Sequence, residues 1–305
     1  MTDATVIEAP RSLWLDVWAQ FRAHRGAMVG LFVLIFLLLF VLVGPLFWTK
    51  EPILVNSNTA QMFKSRNLGA SLTNPLGTDQ VGRDIMARLM LGGKVSLAVG
   101  FVAMGVAIGV GTLIGVLAGY FRALDNALMR LTDMFLSLPL LPLLLVLVYL
   151  YGGVMRAEFG PNLGTFFIIV AGIGLTSWMH VARIVRGQVL AVKEREFVLA
   201  ARSIGTPSRR IITRHILPNV LSPVMVAATL GIANAIITES VLSFLGQGFQ
   251  PDFPTWGSML NYAYNNQSYP VQMIWPGLAI SLTVLSVNYI GDGLRDALDP
   301  RIRGR

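Results

Sequence analysis

Residues 27–48 read AMVGLFVLIFLLLFVLVGPLFW, a run without one charged side chain. About 20 apolar residues in a row is the length a helix needs to cross a hydrocarbon layer of roughly 30 Å. A helix buried in a soluble core is seldom apolar over so long a stretch. Further apolar runs follow at 95–120, 134–151, 163–182, 219–245 and 273–290. With 54% hydrophobic and only 13% charged residues, the chain reads as an all-α membrane protein of six transmembrane helices. A cleaved leader is not expected, because the first run starts late and no small-residue cleavage pattern follows it before Trp48 and Lys50.

Charge and composition then exclude whole classes of function. A net charge of +8 would suggest nucleic acid in a soluble domain, but in a membrane protein basic residues report topology, so lipid is the expected partner and nucleic acid is not. The absence of cysteine excludes thiolate nucleophiles, thiolate metal sites and disulfides, and His24, His180 and His215 are too scattered for a dedicated metal site. The nearest approach to a phosphate loop, Gly92-Gly93-Lys94, lacks the upstream glycine and has Val95 where Ser or Thr must follow. No catalytic residue, metal site or cofactor is therefore expected in this chain.

Six spans place both termini on one side of the bilayer. If that side is cytoplasmic, the inner segments hold 3, 2, 8 and 4 Lys or Arg and the outer ones 6, 1 and 0, which is 17 against 7 and favours this orientation. The expected division is an N-terminal interfacial helix within 1–27, a first span at 28–48, an extracytoplasmic segment at 49–94, a five-span core at 95–294 with a cytoplasmic loop at 183–218, and a cytoplasmic tail at 295–305. Leu13, Trp14, Val17, Trp18 and Phe21 mark the apolar face of the first of these, over 11–25, although a continuation of the first span reads equally well. In the second span, Gly105, Gly109, Gly111, Gly115 and Gly119 give small residues four apart, the pattern of close helix packing. Pro139 and Pro142 are expected to bend the third span. Trp256, Tyr262, Tyr264, Tyr269 and Trp275 suit an interfacial belt.

The loop at 196–218, EFVLAARSIGTPSRRIITRHILP, is the charged island of the molecule. Phe197, Ala200, Ala201 and Ile204 fall at helical spacing on one side, and Gly205 and Pro207 end the helix. A second helical run, 208–216, carries Arg209, Arg210 and Arg214. Small side chains at 200 and 201 suit a helix that seats in a partner's groove.

The pattern Ala200-Ala201-x3-Gly205-x11-Leu217-Pro218 resembles the cytoplasmic EAA loop of bacterial ATP-binding-cassette importer permeases. Leu199 in the motif's Glu position and His215 in place of its Ile are similar to the peptide-type subgroup, and Glu196 lies one turn before the motif. Three further stretches resemble the C-type permease of dipeptide, oligopeptide and nickel importers: Leu76 to Asp84 continuing to Ser96, Leu97 and Gly100; Leu242 to Gly248 with Trp256-Gly257; and Gly291 to Pro300. The resemblance implies the importer permease fold in a bacterial inner membrane, a homologous B-type permease partner, two cytoplasmic ATPases that bind ATP and Mg, and an extracytoplasmic substrate-binding protein. It implies that Glu196, Ala200, Ala201, Gly205, Arg209, His215, Leu217 and Pro218 couple the spans to an ATPase. Short peptides are the implied cargo, with nickel complexes or oligosaccharides handled by relatives.

Beyond that loop the candidates come from charge and polarity inside the spans. Glu239 is costly there and either lines a polar path, where it would meet a cation, or sits near the outer end as a hydrogen-bond partner. Asn234, Thr238 and Asn288, with Tyr289, either share a polar lumen or bond within the bundle. Asp79, Arg83 and Asp84 either meet the binding protein or hold the outer segment by ion pairs. Asp292, Arg295, Asp296, Asp299 and Arg301 either seat the ATPase or fix the last helix end. A secondary transporter or channel subunit is the alternative, and it predicts inverted repeats and mid-membrane charge pairs; a membrane enzyme would need clustered nucleophiles or ligands.

Overall fold

A computed structural model describes residues 13–53, 59–250, 252–266 and 268–298. The expectations that rest on Arg11, Asp299, Pro300 and Arg301 lie outside the described residues. The elements are α1 (Leu13–Ala23), α2 (Arg25–Leu42), α3 (Gly44–Phe47), α4 (Thr59–Ser65), α5 (Ile85–Tyr120), α6 (Arg122–Leu136), α7 (Leu140–Phe159), α8 (Pro161–Lys193), α9 (Glu196–Ser203), α10 (Ser208–Ile211), a π-helical turn (Ile212–Ile216), α11 (Leu217–Phe244), α12 (Trp256–Tyr264) and α13 (Val271–Leu298). Among the described residues, six helical stretches are long and apolar enough to cross a bilayer: α2, α5, α7, α8, the run Ser208–Phe244 and α13.

Several helices outrun the apolar runs that announce them. At 36 residues α5 is about 54 Å long, well beyond the hydrocarbon thickness. It starts at Ile85 because Asp84 caps it, accepting the Ala87 N–H on Oδ1 at 2.8 Å. The expected third span is interrupted at Pro139 rather than running as one helix. Residues 134–136 belong to α6, Pro139 is the cap of α7 and Pro142 lies in its first turn, where the backbone N–H has no helical partner and proline costs little. The fifth span begins at Ser208 through α10 and the π turn rather than at residue 219. That wider turn sits just ahead of Pro218, which supplies no N–H to the helix.

Close packing of α5 on α8 forms the centre of the bundle. A Cβ on Gly111 would lie 2.6 Å from the Trp178 carbonyl, one on Gly115 2.6 Å from the Ala182 carbonyl, and one on Gly119 2.7 Å from Val189. Only glycine permits this approach. Gly105 and Gly109 face open space, so the small-residue stripe divides into a packed half and a free half. At one end of the bundle α1 is a separate helix, broken from α2 at His24, whose Nδ1 accepts the Ala27 N–H at 3.0 Å. Val17 and Phe21 bury against Ala27 and Ala297, tying α1 to the end of α13.

Candidate functional site

Helix α9 is held by its neighbours from behind. Val198 and Ala201 bury with Ile211, Ile216 and Val220 against Val116, Val185 and Val189 of α5 and α8. A turn closes the helix, with Gly205 N–H donating to the Arg202 carbonyl at 3.0 Å and Thr206 N–H to the Ala201 carbonyl at 3.1 Å. This crossed pair of bonds requires a left-handed residue, and Gly205 has φ +79° with no atom near its missing side chain. Backbone conformation, not crowding inside this chain, therefore demands glycine there.

The expected apolar stripe of α9 is split. Of Phe197, Ala200, Ala201 and Ile204 only Ala201 is buried, with Val198 beside it; Phe197 is 46% and Ile204 83% exposed. The helical period marks which residues are apolar, and their neighbours decide which of them the chain itself covers. Glu196, Ala200, Gly205, Arg209 and Pro218 are exposed, and Leu217 and His215 half-buried. The His215 ring lies 6.2 Å from that of Phe197, and the Arg202 guanidinium lies 5.9 Å from the Tyr120 ring.

Ion pairs brace the same end of the bundle. Arg186 on α8 grips Asp125 on α6 with two bonds, Nε to Oδ1 at 2.5 Å and Nη2 to Oδ2 at 2.7 Å, and Arg183 pairs with Asp133. Lys193 Nζ donates to the Gly119 carbonyl at 2.9 Å. The hydrogen bond from Arg186 holds the Asp125 carboxyl below the usual carboxylate range.

Glu239 is fully buried. Ser96 Oγ of α5 donates to its Oε2 at 2.9 Å and Ser243 Oγ to its Oε1 at 2.7 Å, while Ser96 Oγ accepts the Trp256 N–H at 3.2 Å. The indole of Trp256 is itself buried and donates to the Leu89 carbonyl at 3.0 Å. The carboxylate thus joins α5, α11 and the start of α12.

A cavity of about 450 Å³ opens between α8 and α11. Ser177, His180, Asn234 and Thr238 supply polar lining, and Phe135 and Leu138 close it at the α6–α7 turn. Asn234 and Thr238 both line this cavity, and Thr238 Oγ1 also bonds within its own helix, to the Asn234 carbonyl at 2.8 Å. Asn288 is half-buried on α13 and does not line it, and Tyr289 packs beside Gly26 and Gly30 of α2. The sequence offers no sign of Ser177, and His180 enters there only among the histidines too scattered for a metal site. The available signal was an imidazole within a span, which is costly there by default.

Asp79, Arg83 and Asp84 form a clamp across the outer segment. Arg83 Nε donates to Asp79 Oδ2 at 2.8 Å and its guanidinium reaches Asp252 at 3.3 Å. Asp84 accepts from Trp48 Nε1 at 3.0 Å and from Asn74 Nδ2 at 2.7 Å. Arg83 and Asp84 are buried. In the last helix Asp292 and Asp296 are exposed, and Asp296 lies 3.7 Å from His24. No cluster of three metal-ligating side chains occurs among the described residues.

Residues 111–304 match the profile described as "Binding-protein-dependent transport system inner membrane component", and residues 12–68 match the "N-terminal TM domain of oligopeptide transport permease C". The chain belongs to the family of binding-protein-dependent transport system inner membrane components, and is a multi-pass protein of the bacterial inner membrane. Among its relatives, the dipeptide transport system permease protein DppC of Alkalihalophilus pseudofirmus is 38% identical over 96% of this chain and 91% of its own length. The oligopeptide transport system permease protein OppC of Haemophilus influenzae is 38% identical over 96% and 90%. The glutathione transport system permease protein GsiD of Pectobacterium atrosepticum is 36% identical over 96% and 93%. A solved structure of the MetNI methionine ABC transporter in an inward-facing conformation, 20% identical, matches 70% of this chain and 98% of its own at a TM-score of 0.57, a likeness of fold.

Proposed function

We propose that this chain is one of two homologous membrane subunits of an ATP-driven importer that moves short peptides from an extracytoplasmic binding protein into the cytoplasm. Both termini and the 183–218 loop face the cytoplasm, where two ATPases supply the ATP and Mg chemistry that this chain does not carry. The observation that carries the reading is the split face of α9: Val198 and Ala201 are anchored in the bundle while Phe197, Ala200 and Ile204 stand exposed. A short helix packed on one side and apolar on the other suits docking in a groove. The names of the peptide permeases that share over a third of its residues along nearly its whole length support the cargo class.

The coupling runs through contacts already described. An ATPase that tilts α9 pushes Val198, Ala201, Ile211 and Ile216 against α5, α8 and α11, and α8 and α11 are the walls of the cavity. Asn234 and Thr238 line the path. Glu239 fixes α5, α11 and α12 to one another at its outer part, and the clamp of Asp79, Arg83 and Asp84 shapes the surface on which the binding protein lands. Alternation between inward and outward openings then follows which end its partners favour.

Affinity purification through a tag on this chain, from its native membrane, tests the proposal. Two ATPase chains and a second permease should co-purify, and proteoliposomes of the complex should take up dipeptides only with ATP and the binding protein. Purification as a lone species that moves substrate without ATP would establish the secondary-transporter reading instead.

A further inference from the structure

Three polar side chains of the cavity wall have no hydrogen-bond partner among the described residues: Ser177 and His180, one turn apart on α8, and Asn234 on α11. Their neighbours behave differently. Thr176 Oγ1 donates to the Gly172 carbonyl and Thr238 Oγ1 to the Asn234 carbonyl, each at 2.8 Å, so those hydroxyl protons are committed to their own helices. Ser177 is half-buried, and His180 and Asn234 are exposed on the cavity wall, so their donors and acceptors are free to meet whatever passes through it.

The electrostatic character of the wall narrows what that filling is. His180 is the one ionisable residue among those lining the cavity. The charges nearby are engaged elsewhere: Arg183 with Asp133, Arg186 with Asp125, and Glu239 with Ser96 and Ser243. No carboxylate lies among the described residues that line the lumen. An imidazole always offers at least one N–H donor, and the amide of Asn234 and hydroxyl of Ser177 offer both donors and acceptors. Carboxylate and amide groups find a donor on each of the three residues, whereas an ammonium or guanidinium finds neutral acceptors and no carboxylate among the described lining residues.

We infer that Ser177, His180 and Asn234 form a selectivity station that receives the carboxylate and amide groups of a passing peptide and favours acidic and neutral peptides over basic ones. The inference rests on the cavity being the path. His180 sets the charge preference and Ser177 and Asn234 hold the peptide group.

The test uses the complex purified through this chain, reconstituted in proteoliposomes with one batch of binding protein, and compares wild type with variants so that selection by the binding protein cancels. The probes are alanyl-glutamate, dialanine and alanyl-lysine. His180→Asp should raise the ratio of alanyl-lysine to alanyl-glutamate uptake by about tenfold, the order expected when a unit charge of opposite sign replaces a donor at close range. His180→Gln, which keeps a donor, should leave that ratio within about twofold of wild type, since no charge is introduced. A ratio unmoved by His180→Asp overturns the inference. Should His180→Asp fail to assemble, His180→Ala reads the same ratio with a smaller rise expected, and no rise overturns it. Asn234→Trp fills the lumen and separates the two levels. If all three probes still enter at the wild-type rate through an intact complex, the cavity is not the path and the reading beneath the inference falls with it. If uptake stops while the ratio is unmoved in His180→Asp, the inference alone falls. A wild-type complex that moves none of the three probes overturns both.

Discussion

Glu239 shows how a costly residue is made tolerable inside a membrane protein. Both carboxylate oxygens accept serine hydroxyls, and the serine of α5 also receives a backbone N–H from α12. Removing the carboxylate leaves two buried hydroxyls without an acceptor and a void at a three-helix junction. Glu239→Ala should therefore destabilise the chain by about 2–4 kcal/mol. Glu239→Gln keeps one acceptor oxygen and offers an amide donor that the Ser243 hydroxyl can accept, so a cost of about 1 kcal/mol is expected. Thermal unfolding in detergent should rank the variants wild type, Gln, Ala. Because Glu239 does not line the cavity, Glu239→Gln should also keep peptide uptake near the wild-type rate. A glutamine variant as stable as wild type but unable to transport would show that the carboxylate meets cargo after all.

The glycine stripe of α5 makes a similar contrast between equal letters in unequal places. Spacing alone gives Gly105, Gly109, Gly111, Gly115 and Gly119 the same standing, yet only the last three lie under α8, where a Cβ would meet backbone oxygen or valine at 2.6–2.7 Å. Gly115→Ala should lower the melting temperature measurably, by an overpacking cost of about 1–3 kcal/mol. Gly109→Ala, with nothing within 4 Å of the added carbon, should be neutral or slightly stabilising, since alanine is the better helix former. Equal losses at the two positions would contradict the packing of α5 on α8. Between α6 and α8 the tie is electrostatic. Arg186 holds the Asp125 carboxyl below its ordinary range in the folded chain, so the pair contributes stability above the unfolded carboxyl's titration, near pH 4, and loses it as pH falls through the lowered folded value. Wild type should accordingly lose more thermal stability than Asp125→Asn on acidification from about pH 5 to pH 3. Parallel curves for the two proteins would mean that the pair is screened by solvent, as a partly exposed ion pair can be.

Six spans were legible in the chain because a bilayer sets a length that composition must meet, and residues 27–48 meet it without a single charge. Helix ends were not, because outside the hydrocarbon nothing forces a helix to stop: α5 runs back through Arg88 and Lys94 to its Asp84 cap, and α8 runs on through Arg183 and Arg186 to Lys193. Ser177 and His180 stayed hidden for another reason. Their meeting with Asn234 is made by the packing of α8 beside α11, and no local period encodes it. The 196–218 loop lay between these cases, since its apolar residues were readable at 197–204 but their division between buried and exposed faces was not. That division carries the last prediction. Ile204 is 83% exposed, so in the isolated chain Ile204→Glu removes no internal contact and should leave the melting temperature unchanged. Val198 is fully buried, and Val198→Glu should unfold this end of the bundle whether or not a partner is present. If an ATPase covers the outer face of α9, Ile204→Glu loses the burial of one large side chain, about 2 kcal/mol, and so roughly 30-fold in affinity. ATPase chains should then be depleted from the purified complex, and peptide-stimulated ATP hydrolysis should fall with them. Retention of both by a stable Ile204→Glu complex would move the contact with the ATPase away from this helix.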